Sequence, residues 1–122
     1  MMAIRVLAVD DSRTIRDLLQ HALTRAGYQV TLAEDGQEAL DRLAEVAPDA
    51  IISDINMPRL DGFGLIEAVR RQDRYRATPI LVLTTESAPE LKARARAAGA
   101  TGWIVKPFEA DKLVRALQMI AG

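Results

Sequence analysis

Two aspartates, Asp10 and Asp11, follow the apolar run Ile4–Val9 and directly precede a segment of helical period. Adjacent carboxylates at a strand terminus repel each other and are costly to hold ionised unless a cation or hydrogen bonds compensate. Oxygen-only ligands favour a hard divalent cation such as Mg²⁺. Reactive residues close other apolar runs too: Asp54 follows Ala50–Ser53, Thr84 ends Ile80–Thr84, and Lys106 follows Gly102–Val105. If these runs are parallel strands of one sheet, all five residues gather at one edge, the edge where open α/β sheets place their sites. Such a set is a phosphoryl acceptor. An ionised Asp54 carboxylate can attack phosphorus without a general base. Asp10 and Asp11 would hold Mg²⁺, offsetting the repulsion between carboxylate and incoming phosphate. Lys106 neutralises a second phosphoryl oxygen as a mobile point charge, and the Thr84 hydroxyl can donate a hydrogen bond to a third.

Taken singly, each residue has a plainer reading. An Asp-Asp pair before a helix serves as an N-cap with a solvated neighbour. Asp54 suits a turn, and Lys106 a surface. Context rather than the motif is what confirms a motif, and the joint placement at strand ends favours chemistry. Trp103, the single tryptophan, reads equally well as static packing. Lys92, Arg94 and Arg96 lie on the fourth helix candidate, where charges ordinarily mark a solvated face. His21 falls on the polar side of the first helix, and Gly62 and Gly64 read as turn residues near the third.

Five strand candidates must position these groups: Ile4–Val9, Gln29–Ala33, Ala50–Ser53, Ile80–Thr84 and Gly102–Val105. Except for the more alternating second, they are apolar on both faces, as strands covered by helices on each side are. Between them Ile15, Leu18, Leu19, Ala22, Leu23 and Ala26 recur on one helical face,. Leu40, Leu43, Ala44 and Ala47 repeat the pattern, as do Leu113, Val114, Leu117 and Ile120. Ser87 with Glu90 predicts a capping box, Asp35 with Glu38 a similar pairing, and Gly27 and Gly99 mark helix ends. Repeated βα units of this kind imply an α/β, doubly wound, five-stranded parallel sheet with helices on both faces,.

Bulk properties bound the function. The 122 residues suit one domain with a real core,. With 49% hydrophobic and 27% charged residues and a formal net charge of -1, no global field draws the chain to nucleic acid or an anionic membrane,. The absence of cysteine excludes disulfides, thiol catalysis and Cys-ligated metals,. No signal peptide or membrane-spanning run is visible, so a cytoplasmic address without membrane insertion is expected. No linker divides the chain, and Ala121-Gly122 follow the last helix directly. A single domain over residues 1–122 is the expectation.

Five segments together carry a family resemblance: Val-Asp-Asp-Ser (9–12), Ser-Asp-Ile-Asn-Met-Pro (53–58), Asp-Gly (61–62), Leu-Thr-Thr-Glu (83–86) and Val-Lys-Pro-Phe (105–108). In that order, at matching strand ends, they resemble the receiver domain of two-component response regulators across essentially the whole chain. Within the family the likeness is greatest to stand-alone chemotaxis regulators of the CheY type, through Asp-Ser-Arg-Thr-Ile-Arg (11–16), Asn56-Met57-Pro58 and Gly99-Ala-Thr-Gly-Trp. The resemblance implies a flavodoxin-like, CheY-like sheet of strand order 2-1-3-4-5 with five helices. It implies that Asp54 takes a phosphoryl group from a phosphohistidine on a histidine kinase or phosphotransfer protein. It further implies Mg²⁺ bound directly by Asp10 and Asp54, through water by Asp11, and by the Asn56 backbone carbonyl. Lys106-Pro107 would be a cis peptide.

By the same resemblance, Thr84 and Trp103 form the output switch, and Asn56 and Glu86 border the path of hydrolytic water and tune dephosphorylation. The usual aromatic at the Trp103 position is Tyr or Phe, so a bulkier indole with an N–H to satisfy departs from the pattern. With no output domain expected, the chain would be a monomeric signalling phosphoacceptor rather than an enzyme. It would act on a partner such as a flagellar motor switch protein through the fourth helix, fifth strand and fifth helix, with a phosphatase as a further partner. Phosphate sink or phosphorelay shuttle is the alternative. A Mg²⁺-dependent aspartyl-phosphate phosphohydrolase fits less well, since Ala8-Val9-Asp10-Asp11 lacks the Asp-x-Asp spacing of those enzymes. A flavodoxin-type cofactor protein lacks its Ser/Thr-rich phosphate loop after the first strand.

Overall fold

The computed structural model describes residues 3–121; the Met1-Met2 start and the terminal Gly122, on which the reading of the chain ends rested, lie outside the described residues. Strands and helices alternate as β1 (Arg5–Val9), α1 (Arg13–Arg25), β2 (Gln29–Ala33), α2 (Gly36–Val46), β3 (Ala50–Ser53), α3 (Gly62–Arg70), β4 (Ile80–Thr84), α4 (Pro89–Ala98), β5 (Gly102–Val105) and α5 (Ala110–Ala121). The strands form one parallel sheet in the order β2-β1-β3-β4-β5. This is the doubly wound α/β fold expected, with the strand order the resemblance implied.

Side chains alternate across a strand, and the sheet therefore builds two cores. Leu7 and Val9 of β1 point to one face with Ile51, Ile80 and Val82, packed under Leu43 of α2, Ile66 of α3 and Ala95 of α4. Val6 and Ala8 point to the other with Ile52, Leu81 and Leu83, beneath Leu19 and Leu23 of α1 and Leu113 and Leu117 of α5. The register sets Val9 opposite both Ala33 and Ser53, and Thr84 opposite Val105. Strand ends thus line up along one edge.

Several expectations need correction. Ser87 caps nothing: α4 opens at Pro89 with Ala88 as an N-cap that makes no side-chain bond. Proline at the first helical position loses no bond there, which sets the helix start one residue too late for Ser87. Ala47 is not on a helical face but ends α2 in a left-handed conformation at φ 46, and Ala44 is exposed. Leu18 is 51% exposed, because α1 packs through Leu19, Ala22 and Leu23 instead. β5 is only half covered, since it lies at the sheet edge and exposes Val105. Gly62 and Gly64 belong to the first turn of α3 rather than to the turn before it. A short 3₁₀ turn, Asp73–Tyr75, has no counterpart in the periodicity.

Candidate functional site

The site grows from the crossing point of the sheet, where β1 and β3 lie side by side. Asp10 N–H donates to the Ala33 carbonyl at 3.1 Å and Asp54 N–H to the Val9 carbonyl at 3.0 Å. The ladder thereby continues one residue past each strand and fixes both carboxylates at its end. Asp10 is buried, and its Oδ1 accepts the Ser12 N–H at 2.9 Å. Ser12 in turn caps α1, its Oγ accepting the Ile15 N–H at 3.3 Å. Asp11 points to solvent. Asp54 is 8% exposed, and its Oδ1 accepts the N–H of Ile55 at 2.6 Å. Behind it α3 comes so close that a Cβ on Gly62 would collide with the Asp54 carbonyl oxygen.

Lys106 completes the cleft. Its Nζ donates to Asp10 Oδ2 at 2.6 Å and to Asp54 Oδ2 at 2.9 Å. Its backbone N–H donates to the Thr84 carbonyl at 2.7 Å, which seats it beside the end of β4, and the Lys106–Pro107 peptide bond is cis. Burial disfavours the ammonium, yet the hydrogen bonds and charges of Asp10 and Asp54 outweigh it and raise the Lys106 pKa. Burial raises the Asp10 pKa, and the Lys106 and Ser12 bonds only partly offset that. The ammonium is secure, and the cost of the pair falls on the acid.

Charge therefore remains uncompensated. Carboxylate oxygens of Asp10, Asp11 and Asp54 lie within 4.8 Å of one another, and three such anions face a single ammonium. The deficit is two formal charges, presented by hard oxygen donors alone. That donor set fits a divalent cation of the Mg²⁺ kind, which takes oxygen ligands and retains waters.

Around this centre stand the remaining residues. Thr84 is fully buried, and its Oγ1 accepts the Glu86 N–H at 3.4 Å. Asn56 is exposed, and its side-chain amide donates to Glu86 Oε1 at 3.0 Å. The Trp103 indole N–H donates to the Glu86 carbonyl at 3.0 Å, so one loop residue gathers bonds from β5 and from the turn after β3. Lys92 and Arg96 of α4 line, with Trp103, a groove of about 570 Å³ apart from the carboxylate cleft. Arg94 stacks its guanidinium on the Phe63 ring at 4.0 Å. His21 is exposed on α1.

Two contributors had no signal in the sequence. Arg16 Nη1 donates to the Asp10 carbonyl at 2.8 Å, and Arg59 forks onto Asp35 at 2.8 and 3.1 Å. A partner six residues away across a cap, or 24 residues away across two loops, leaves no periodic trace.

A parallel five-stranded sheet with acids ending β1 and β3, a threonine ending β4 and a lysine after β5 defines a class of phosphoryl-accepting signalling domain. Residues 6–118 match the response regulator receiver domain family, and the chain belongs to it. It is a receiver domain of a two-component response regulator. It is similar to the response regulator MprA of Mycolicibacterium vanbaalenii, 39% identical over 119 residues that make up 98% of this chain and 51% of the relative. The chain thus spans about half the length of the curated relatives it matches. Among solved structures, the chemotaxis protein CheY4 of Vibrio cholerae shares 50% identity at a TM-score of 0.94, covering 98% of this chain and 99% of that one. The receiver domain of the sensor histidine kinase PA1611 from Pseudomonas aeruginosa PAO1 shares 30% identity at a TM-score of 0.91 over 99% of each chain, and is described with a magnesium ion coordinated in its active site cleft.

Proposed function

We propose that this chain is a phosphoacceptor switch in which Asp54 takes a phosphoryl group from the phosphohistidine of a histidine kinase or phosphotransfer protein. A carboxylate oxygen of Asp54 forms the new O–P bond while the N–P bond breaks. The electron pair leaves with the imidazole, which takes up a proton. The observation that carries this reading is the double contact of Lys106 Nζ with Asp10 and Asp54. It sets an ammonium against the acceptor carboxylate at the mouth of a buried acidic cleft. Asp10, Asp54 and the Asn56 carbonyl would hold Mg²⁺ directly and Asp11 through water. The ion, when bound, supplies positive charge against the phosphoryl oxygens. Lys106 then turns to a second phosphoryl oxygen, and Thr84 offers its hydroxyl to a third. Asn56 and Glu86, already joined by a hydrogen bond, border the path of hydrolytic water.

Output follows from two-state bias: the phosphoryl group gives Thr84 a new partner, and the loop of Glu86 and Trp103 shifts with it. The surface that changes is the α4–β5–α5 side, where the groove beside Trp103 lies. The likeness to the chemotaxis protein CheY4 over 99% of that chain favours a role in chemotaxis; on that reading the receiver would act as a cytoplasmic, single-domain monomer on a flagellar motor switch protein. The match to only half of MprA favours a second reading, in which this receiver serves an output other than a motor. A pull-down with and without a phosphoryl mimic separates a switch from a phosphate sink, which has no phosphorylation-dependent partner. The phosphoacceptor role is tested by incubating the protein with a phosphorylated kinase and Mg²⁺. One acid-stable, base-labile phosphoryl group per chain is expected, lost in Asp54→Asn. Multiple turnover of a small phosphate ester would instead make it a phosphohydrolase.

A further inference from the structure

The turn that carries Asn56 needs an anchor. It leaves β3 at Asp54 and re-enters regular structure at Gly62, whose N–H donates to the Ile55 carbonyl at 2.8 Å. Its apex, Met57 to Leu60, is tied to a different part of the molecule, the start of α2. Arg59 lies at φ 65, a left-handed conformation that a side-chain-bearing residue adopts when its surroundings hold it there,. Its Nε donates to Asp35 Oδ2 at 2.8 Å and its Nη2 to Asp35 Oδ1 at 3.1 Å.

Asp35 is 5% exposed, and the same Oδ1 accepts the Glu38 N–H at 2.8 Å as the N-cap of α2. Next to it Gly36 N–H donates to the Leu60 carbonyl at 3.0 Å. A Cβ at position 36 would lie 2.5 Å from that oxygen, so only glycine permits the approach. The apex is thus held by a two-point guanidinium fork and a backbone bond on consecutive residues, Asp35 and Gly36.

We infer that Asp35 and Arg59 are positioning residues for the metal site: a clip between the β2–α2 and β3–α3 turns that fixes the backbone at Asn56. The inference rests on the reading of Asp10, Asp54 and the Asn56 carbonyl as Mg²⁺ ligands. A carbonyl in a turn is aimed only as well as the turn is held, and partners that orient a ligand count heavily in metal affinity. Bidentate arginine–carboxylate geometry fixes orientation as well as distance. Arg59 does not touch the carboxylate cleft. It acts through the chain.

Two substitutions isolate the clip. Asp35→Asn retains a good N-cap side chain for α2 but loses the charge that Arg59 reads. Arg59→Gly removes the guanidinium while relieving the positive φ. Mg²⁺ affinity is measured by NMR titration of the intact chain with MgCl₂, which also reports whether each variant is folded. Each variant is expected to bind Mg²⁺ about tenfold more weakly, the lower end of what losing an orienting partner costs. Asp35→Asn/Arg59→Gly should be no weaker than the weaker single variant, because the second change finds the clip already open. Tyr75→Phe loses a bond from its hydroxyl to the Leu43 carbonyl, away from this turn, and should leave Mg²⁺ affinity unchanged. Wild-type affinity in either single variant, or losses that add in the double, overturns the clip while leaving the metal site standing. A wild-type protein that binds no Mg²⁺ overturns the site and the clip together.

Discussion

Lys106 sets one ammonium against two buried acids. It bridges Asp10 and Asp54 and partly offsets the repulsion between them. On the proposed reading, a bound cation would give the carboxylates another partner and free the lysine for a phosphoryl oxygen. Replacing Lys106 by Met leaves both acids uncompensated, and breaking a buried pair costs up to about 3–5 kcal/mol. Asp10, whose pKa burial already raises, can escape part of that by taking a proton. A loss of about 2 kcal/mol in urea unfolding without Mg²⁺ is therefore expected, partly recovered in saturating Mg²⁺, with phosphotransfer slowed in both. Asp35 gives a pH test at the same scale. The Arg59 hydrogen bond holds its carboxyl below the usual 3.8. A lowered folded pKa contributes stability above the unfolded value, lost as pH falls through the folded one. The stability gap between wild type and Asp35→Asn should be constant from pH 7 to about 4.5 and close below 3.8,, followed by urea unfolding across that range.

Strands and helices differ in how openly the sequence declares them. Gln29–Ala33, Ala50–Ser53, Ile80–Thr84 and Gly102–Val105 are strands at the expected bounds, because an apolar run between turn residues has few other uses in a chain this short. A common parallel edge makes Asp10, Asp54, Thr84 and Lys106 neighbours from the sequence alone. Helix ends were less open: Ser87 satisfies the spacing of a capping box, yet Pro89 moves the start of α4 and leaves Ala88 in the cap. Least legible were ties between loops. Arg59 to Asp35, Arg70 to the Gly99 carbonyl and Asn56 to Glu86 span 24 to 30 residues and depend on how turns face each other in space. The weak start of α4 has a consequence. Only Ala95 of this helix is buried, and an element with few buried contacts opens at low free energy. Ala88→Ser should supply the missing cap and stabilise the protein by about 1 kcal/mol, raising Tm by roughly 3–4 °C. Amide exchange should slow in α4 more than in α1 or α5.

At the scale of the whole molecule, the proposed chemistry and the proposed output are joined through the loop after β4. The cleft lies where β1 and β3 meet, the groove proposed for output lies beside β5, and β4 stands between them. Glu86 is the junction: its N–H reaches Thr84, its side chain takes the Asn56 amide, and its carbonyl takes the Trp103 indole. A phosphoryl group that draws the Thr84 hydroxyl toward itself removes one of these three ties and strains the other two. The indole N–H then has to follow the Glu86 carbonyl or lose it, and a half-buried N–H is costly to leave unpaired. On the proposed reading, the single tryptophan would report the switch. Adding Mg²⁺ with beryllofluoride as a phosphoryl mimic should change Trp103 emission in the wild type and leave it unchanged in Asp54→Asn. Thr84→Ala should still bind Mg²⁺ but lose the emission change, since it lacks the hydroxyl that links acceptor to loop. An emission change that survives in Thr84→Ala would mean the signal travels by Asn56 and Glu86 alone. Coupling of this kind is reciprocal, so a peptide seated in the groove beside Trp103 should tighten beryllofluoride binding by the factor by which the mimic tightens the peptide.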